Sequence, residues 1–532
     1  MIWLLPIISA FLLDLSFEHF YLSFLGLFGL IPFFIFIERI CFAGRDKTVL
    51  KKSFLGGWLA GFIFFALISR WLFSALPADW AGLNNIFLAN LIFVSGWLML
   101  SIFVGISFGI FGFSASLFLN YYQKSSNFLN IIIIPSIWII SEYLRAWMFS
   151  LLTWSPSASF APHWSFGNLG YTLIDTLFIF GSRFVGLYGI SFFAVFFNTA
   201  LFILFFRRRS LFLSAIFVLI LVPVILSPAF FAPNSFLENK EFLNIAFFQM
   251  NTKLKPMSIS KIFLLWDRAE SEKRNISQPD MLIFPENGYL GFIGEKEKEF
   301  IKKVFPDQNR QGLIITNRVV VEKNGLLQGQ IIYRDQKGDI VDVQVKSFLI
   351  PGGEFMPSIL KFFLVLTNNQ AALQRFEVLR SFSNGKTFEK PVEFSLTSVG
   401  ALLCSGVVSP LLYRSLAKQG AQILVNSASL GIFNNDPFLL SQLKTQARFQ
   451  AIANEKPFIQ STDGGQSLFI DQNGKMIIET KPSENSILFA KVFPSKIQTF
   501  YTKFGDWPLI MAFLILLLGF KRLIYEVGPH KD

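Results

Sequence analysis

Ser398-Val399-Gly400-Ala401-Leu402-Leu403-Cys404-Ser405-Gly406 is an apolar run that stops abruptly at a thiol followed by a glycine. A short β-rich run of this kind reads as a buried strand, and Gly406 with Ser409-Pro410 beyond it reads as a turn into a helix. A second run, Pro279-Asp280-Met281-Leu282-Ile283-Phe284-Pro285-Glu286-Asn287, ends in the same manner on a carboxylate. Further β-rich stretches at 244–250, 312–321, 423–425 and 458–462 alternate with helical ones, which predicts an α/β domain between 240 and 500. Strand ends are where such folds place chemistry, because the sheet fixes the side chain and the next loop shapes its pocket. The backbone N–H groups of the turn after Cys404 are placed to receive an oxyanion.

Working outward, the rest of the chain is too apolar for water. It has 532 residues, 53% hydrophobic and 15% charged, with 67 Phe. Residues 1–231 hold 12 Lys/Arg and 7 Asp/Glu, and the remaining residues hold 35 and 28. The first part therefore reads as a membrane region. Stretches long enough to cross the bilayer, about 20 helical residues, lie near 1–16, 20–41, 54–76, 86–120, 128–151, 174–206, 211–231 and 507–523, which predicts about eight spans. The 86–120 stretch reads as one long helix or a helix plus an interfacial segment. The first stretch has neither a basic start nor a small-residue cleavage site, so it reads as a retained helix. The expected domains are 1–231, a membrane bundle of seven helices; 232–506, the α/β domain; and 507–532, a final span with its tail.

Arg45, Lys47, Lys51, Lys52, Lys124, Arg207, Arg208 and Arg209 all fall in loops after even-numbered spans, and Lys521, Arg522 and Lys531 in the tail. The positive-inside rule then puts both termini in the cytoplasm and residues 232–506 outside. The net charge of +12 is spread without a basic block, which argues against a nucleic-acid partner. Histidine occurs only at 19, 163 and 530 and cysteine only at 41 and 404. The domain therefore lacks the His for Ser-His-Asp or Cys-His chemistry, and a zinc site has too few soft ligands. Cys41 lies at the cytoplasmic end of its span and cannot pair with Cys404, so Cys404 is either an inert strand residue or a nucleophile. Without His, Glu286 is the available strand-end base.

Phe284-Pro285-Glu286, Lys346-Ser347-Phe348-Leu349-Ile350-Pro351-Gly352-Gly353-Glu354-Phe355-Met356-Pro357 and Cys404 resemble the Glu-Lys-Cys triad of the nitrilase superfamily. With Tyr501-Thr502-Lys503-Phe504-Gly505-Asp506-Trp507, Phe248-Gln249-Met250-Asn251, Glu142-Tyr143-Leu144-Arg145, Leu169-Gly170-Tyr171 and Ser461-Thr462-Asp463-Gly464-Gly465, the whole chain resembles the apolipoprotein N-acyltransferases, membrane-embedded members of that superfamily. The resemblance implies an α-β-β-α sandwich beside the membrane bundle, in a bacterial inner membrane with the domain on the periplasmic face. It implies transfer of an acyl chain from a phospholipid to the N-terminal amine of a diacylated lipoprotein through a thioacyl-enzyme, without metal or diffusible cofactor, by a monomer. Glu286 would be the base, Cys404 the nucleophile and Lys346 the oxyanion partner. The family usually has Glu where this chain has Gly406, and Asn-Asp-x-Trp-Phe-Gly where it has Asn426-Ser427-Ala428-Ser429-Leu430-Gly431.

Each assignment has a plainer counterpart. Lys346 is one lysine among many apart from the run that follows it, Glu354 reads as proton carrier or loop support, and Ser405, Gly406 and Ser429 as the supporting shell. Glu142 and Arg145, three apart on one helix face, are a self-neutralising pair or line a lipid cavity, since charge in hydrocarbon is costly. Residues 359–366 are core or a membrane-dipping arm. A membrane-tethered amidase, and a weakly active or inactive homologue that binds lipids or lipoproteins, remain open beside the transferase.

Overall fold

In a computed structural model of the protein, the described residues are 2–18, 20–43, 47–81, 85–121, 127–206, 241–252, 257–272, 278–287, 289–366, 370, 373–374, 381–386, 389–482 and 484–527. The amino-terminal part is helical: α1 (Leu4–Glu18), α2 (Ile31–Ala43), α3 (Lys47–Ile68), α4 (Ile86–Tyr121), α5 (Asn127–Leu152) and α6 (Ser182–Phe206). Among the described residues five segments are long and apolar enough to cross a membrane: Tyr21–Phe42, Thr48–Ala75, Ile86–Leu119, Asn130–Leu152 and Leu177–Phe206. The expected eight are thus not all met. The first is only a 15-residue helix, because the apolar run is closed by Asp14 and Glu18, both ion-paired to Arg70. The 211–231 stretch, and with it Arg207 to Arg209, lies outside the described residues. The 86–120 stretch is one continuous helix.

Close backbone approach organises this bundle. A Cβ on Gly57 would stand 2.2 Å from the Phe108 carbonyl oxygen and one on Gly61 2.6 Å from that of Gly105, so α3 and α4 touch backbone to backbone. Fully buried Phe33, Phe34, Phe64, Phe111 and Phe118 fill the rest.

The α/β part contains β1 (Leu243–Met250), α7 (Ile259–Glu272), β2 (Met281–Ile283), α8 (Glu295–Val304), β3 (Leu313–Val321), β4 (Leu327–Asp335), β5 (Ile340–Val345), α9 (Ser358–Leu366), β6 (Val392–Phe394), β7 (Thr397–Leu403), α10 (Pro410–Lys418), β8 (Ile423–Ser429), α11 (Pro437–Asn454), β9 (Phe458–Asp463), β10 (Leu468–Ile470), β11 (Met476–Glu479) and β12 (Ser486–Val492). Then α12 (Phe500–Phe504) and the apolar α13 (Trp507–Val527) return the chain to the bundle. The strands run β5-β4-β3-β2-β1-β9-β8-β7-β6, with β12 on β1 and β10 and β11 beyond β9. Side chains alternate across this sheet. Ile245, Phe247, Ile283, Ile315, Leu403, Val425 and Ile459 meet in a dry layer between its two halves. The opposite faces carry helices: Phe248, Leu282 and Ile314 pack on Trp266 and Phe300 of α7 and α8, and Leu402, Leu424 and Ala428 on Leu412, Leu416 and Leu443 of α10 and α11. This is the expected helix-sheet-sheet-helix sandwich. Strands β1, β2, β3, β7, β8 and β9 include the parallel pairs, so their carboxyl ends gather on one edge.

Candidate active site

Cys404 is the first residue past β7, and its φ of +36° breaks the extended strand into a tight turn. A non-glycine residue in that region is uncommon and marks a backbone held by its surroundings. Ser409 ends the turn: its Oγ accepts from Leu412 N and Pro410 opens α10. The thiol donates to the Ser429 carbonyl at the end of β8 (3.6 Å) and lies beside the Glu286 carboxylate. Neighbouring Ser405 donates through Oγ to the Phe348 carbonyl.

Glu286 follows β2 and Pro285. Lys346 follows β5 and is fixed through its main chain to Gly329 and Gly385. Its ammonium donates to Glu286 Oε1 (3.2 Å) and Glu354 Oε1 (2.7 Å). Glu354 also folds its own loop, since its Oε2 accepts from Ile350 N at 2.8 Å. The Lys346 side chain is 2% exposed and that of Glu286 21% exposed. Burial pushes the Cys404 thiol up to about 12, with the Glu286 charge adding to it. Burial likewise raises Glu286 above the usual carboxylate range despite Lys346 beside it. Burial opposes the charge on Lys346, yet Glu286, Glu354 and Cys404 outweigh it and keep the ammonium protonated. A thiol that is neutral at rest, a strengthened carboxylate base and a fixed cation therefore share one strand edge, an arrangement suited to nucleophilic acyl chemistry.

The thiol opens into an apolar cavity of about 80 Å³ lined by Trp71, Trp164, Phe166, Ile350, Leu430 and Phe433, among others. Three of these come from the amino-terminal part, where the sequence reading named only Glu142 and Arg145 for the site. The 153–176 connection carries Trp164 and Phe166, and His163 with them: its Nδ1 lies 2.8 Å from Ser409 Oγ and its ring 4.8 Å from that of Phe348. A long aromatic connection holding one His was the only signal for this wall.

Glu142 and Arg145 stand apart from the thiol and bond to this connection and not to each other. Glu142 Oε1 accepts from Leu169 N (2.8 Å) and Trp138 Nε1 (2.9 Å), while Arg145 donates to the Phe166 carbonyl (3.3 Å) and to Asn168 Oδ1. Gly406 sits in the turn, where a Cβ would meet Leu402 Cβ at 2.6 Å, so the Leu402 side chain fills the space a larger residue there would need. Ser429 offers its carbonyl to the thiol while its own hydroxyl, like Ser427 Oγ and Asn426 Oδ1, is buried without a partner. Among the described residues no group of His, Cys, Asp and Glu is arranged to hold a metal ion. The apolar α9 is exposed along its length, with no buried side chain, and projects from the loop that carries Glu354.

Comparison with known proteins extends this picture. Residues 9–200 match the family described as Apolipoprotein N-acyltransferase N-terminal domain, and residues 244–501 match Carbon-nitrogen hydrolase. The apolipoprotein N-acyltransferase of Pasteurella multocida (strain Pm70) is 23% identical over 530 residues, 96% of this chain and 92% of that protein. That of Haemophilus influenzae is 23% identical over 411 residues, 73% of each. A crystal structure of a carbon-nitrogen hydrolase from Helicobacter pylori G27 is 16% identical, with a TM-score of 0.36 over 53% of this chain and 94% of that one. With both matched regions in order along one polypeptide, the chain belongs to the apolipoprotein N-acyltransferases, membrane proteins built on a carbon-nitrogen hydrolase domain.

Proposed function

We propose that this protein is an acyltransferase that moves a fatty acyl chain from a phospholipid to the amino terminus of a diacylglyceryl-cysteine on an apolipoprotein, using Glu286, Lys346 and Cys404. The observation that carries the reading is Lys346 held between Glu286 and Glu354 beside a thiol that faces an apolar cavity. In the first half, Glu286 takes the thiol proton and the sulfur attacks the ester carbonyl. The Lys346 ammonium and a backbone N–H near Ser405 meet the developing oxyanion, and such a donor contributes roughly 3–4 kcal/mol. Collapse breaks the ester C–O bond, Glu286 returns its proton to the departing lysophospholipid oxygen, and a thioester remains on Cys404. In the second half the acceptor amine attacks that thioester, Glu286 takes the amine proton, and the amide leaves as the thiol is restored. Glu354 and Ser429 hold the lysine and the thiol in place, while Glu142 and Arg145 support the cavity wall through residues 166–169.

The same reading puts residues 232–506 on the periplasmic side of a bacterial inner membrane as the catalytic domain, 1–231 and 507–532 as its membrane anchors, both termini in the cytoplasm, and the working unit as a monomer. An alkaline-phosphatase fusion near Asn251 should be active and one near Arg208 inactive; the opposite result removes the periplasmic assignment. For the chemistry, labelled phospholipid should leave its acyl chain on Cys404, and a lipopeptide amine should then remove it. Acylation should rise with pH through a Glu286 pKa above the ordinary 4.5, and Glu286→Gln should abolish that limb. Release of the label to water in place of the amine would make the protein a hydrolase.

A further inference from the structure

Two sequence runs marked above, 248–251 and 461–465, take no part in these steps, yet both end beside Glu286. The residue after Glu286, Asn287, has a φ of +132°, a conformation side-chain-bearing residues rarely adopt. Its neighbours hold it there. Asn287 N donates to Asn317 Oδ1 (3.0 Å) and Asn317 Nδ2 donates to the Pro285 carbonyl (2.7 Å), so one side chain clamps the chain on both sides of Glu286. Asn287 Nδ2 donates to Asp463 Oδ2.

Asp463 is 1% exposed at the end of β9. Its carboxylate also accepts from Thr252 N (2.9 Å) and Thr252 Oγ1 (2.5 Å), and Tyr289 OH lies against that hydroxyl at 3.4 Å. Its carbonyl accepts from Leu430 N (2.9 Å), the residue directly after Ser429, whose own carbonyl receives the Cys404 thiol. Beneath it, Gln249 Oε1 accepts from Thr462 Oγ1 (2.9 Å) and Ser467 Oγ (2.5 Å), which fixes the ends of β1 and β9 together. Asp463 thus grips the chain next to the base through its carboxylate and the chain next to the thiol's acceptor through its main-chain carbonyl.

We propose that Asp463 is the positioning residue of the acyl-transfer site, aiming Glu286 through Asn287 and the Ser429 carbonyl through Leu430. The inference rests on Glu286 being the base. Misplacement of a reacting group by about 1 Å costs on the order of a hundredfold in rate, so cutting this grip should slow Cys404 acylation by about tenfold to a hundredfold.

Asn287→Gly separates positioning from mere support, because glycine takes a positive φ without strain while losing the link to Asp463. The full-length variant in detergent should unfold at the wild-type temperature or above, yet acylate Cys404 from labelled phospholipid vesicles more slowly, with its pH limb displaced from that set by Glu286 among Lys346, Glu354 and Cys404. Asp463→Asn should slow acylation similarly, and the double variant little further. If Asn287→Gly loses rate and stability together, or both single variants keep the wild-type rate and pH profile while Glu286→Gln is inactive, Asp463 is only a structural link and the proposal falls. If Glu286→Gln itself acylates normally, the base assignment fails first, a distinct outcome.

Discussion

The helical region and the sandwich solve burial in opposite ways. In the bundle, the lipid outside is as apolar as the interior, so helices gain little by hiding side chains from it and must hold by contact. Gly57 and Gly61 accordingly bring α3 against the backbone of α4. In the sandwich, water outside drives the aliphatic layer between the half-sheets together, and precision comes from polar bonding at the strand ends, where Lys346, Asp463 and Gln249 are buried and bonded. The candidate site sits in the second region, and the first supplies apolar walls through Trp71, Trp164 and Phe166. The two meet at hydrogen bonds from Ser358 N to the Trp154 carbonyl (2.8 Å) and from Asn384 N to that of Ser157 (3.1 Å).

Substitutions on either side should keep this division. The largest effect belongs to the sandwich: Cys404→Ser should abolish thioester formation and Lys346→Ala should lower it by at least a hundredfold, read by acyl label on the protein, while circular dichroism shows the fold of the bundle unchanged. Next comes the joint between the regions. Burial depresses His163 to about 4 from 6.5, so the unfolded chain takes up the proton first. The stability of the folded form is then complete above pH 6.5 and declines as pH falls toward 4, by on the order of 3 kcal/mol. Thermal unfolding of His163→Asn at pH 7 and pH 4.5 should show much less acid sensitivity than wild type; equal sensitivity would place the acid-labile group elsewhere. A smaller loss, about 1–3 kcal/mol, is expected for Gly61→Leu, since the Gly105 backbone must move. If that variant unfolds like wild type, contact packing is not what holds the bundle. The smallest effect is on the exposed arm: Phe362→Ser should change stability by less than about 0.5 kcal/mol, and a large drop in unfolding temperature would show that α9 is packed in solution.

The sandwich was legible where apolar runs are continuous and buried. β1, β2, β3, β7, β8 and β9 each begin or end within a few residues of the runs that mark them. The strands β4 and β5 carry Gln328, Gln330, Asp342 and Gln344 among their apolar residues, and β11 alternates with exposed positions over four residues, so none stands out by hydropathy. At the site, Glu286 and Cys404 announce themselves as reactive ends of strands, whereas Lys346 is visible only through the Pro351–Pro357 run after it. Nothing local marks Asn317, and only the aromatic character and lone His of the 153–176 connection mark the cavity wall, because these roles arise from contacts between residues far apart in sequence. Hydropathy likewise counts α1 as a span although its carboxyl end is committed to Arg70.

Helix α4 has a further consequence. Its 36 residues make a rod about 54 Å long, against roughly 30 Å of hydrocarbon. Even at a steep 40° tilt it reaches across about 41 Å, so one end stands clear of an undeformed bilayer. The end that begins at Ile86 exposes Phe87, Leu91 and Val94, and just beyond them Leu98, Met99 and Ile102 form a groove with Leu151, Trp154 and Ile359. Either the surrounding lipid thickens to cover those side chains or they lie bare to water, and the first costs less per ångström. Covering them requires the membrane to thicken locally, so bilayers of longer acyl chains should suit the protein better than thin ones.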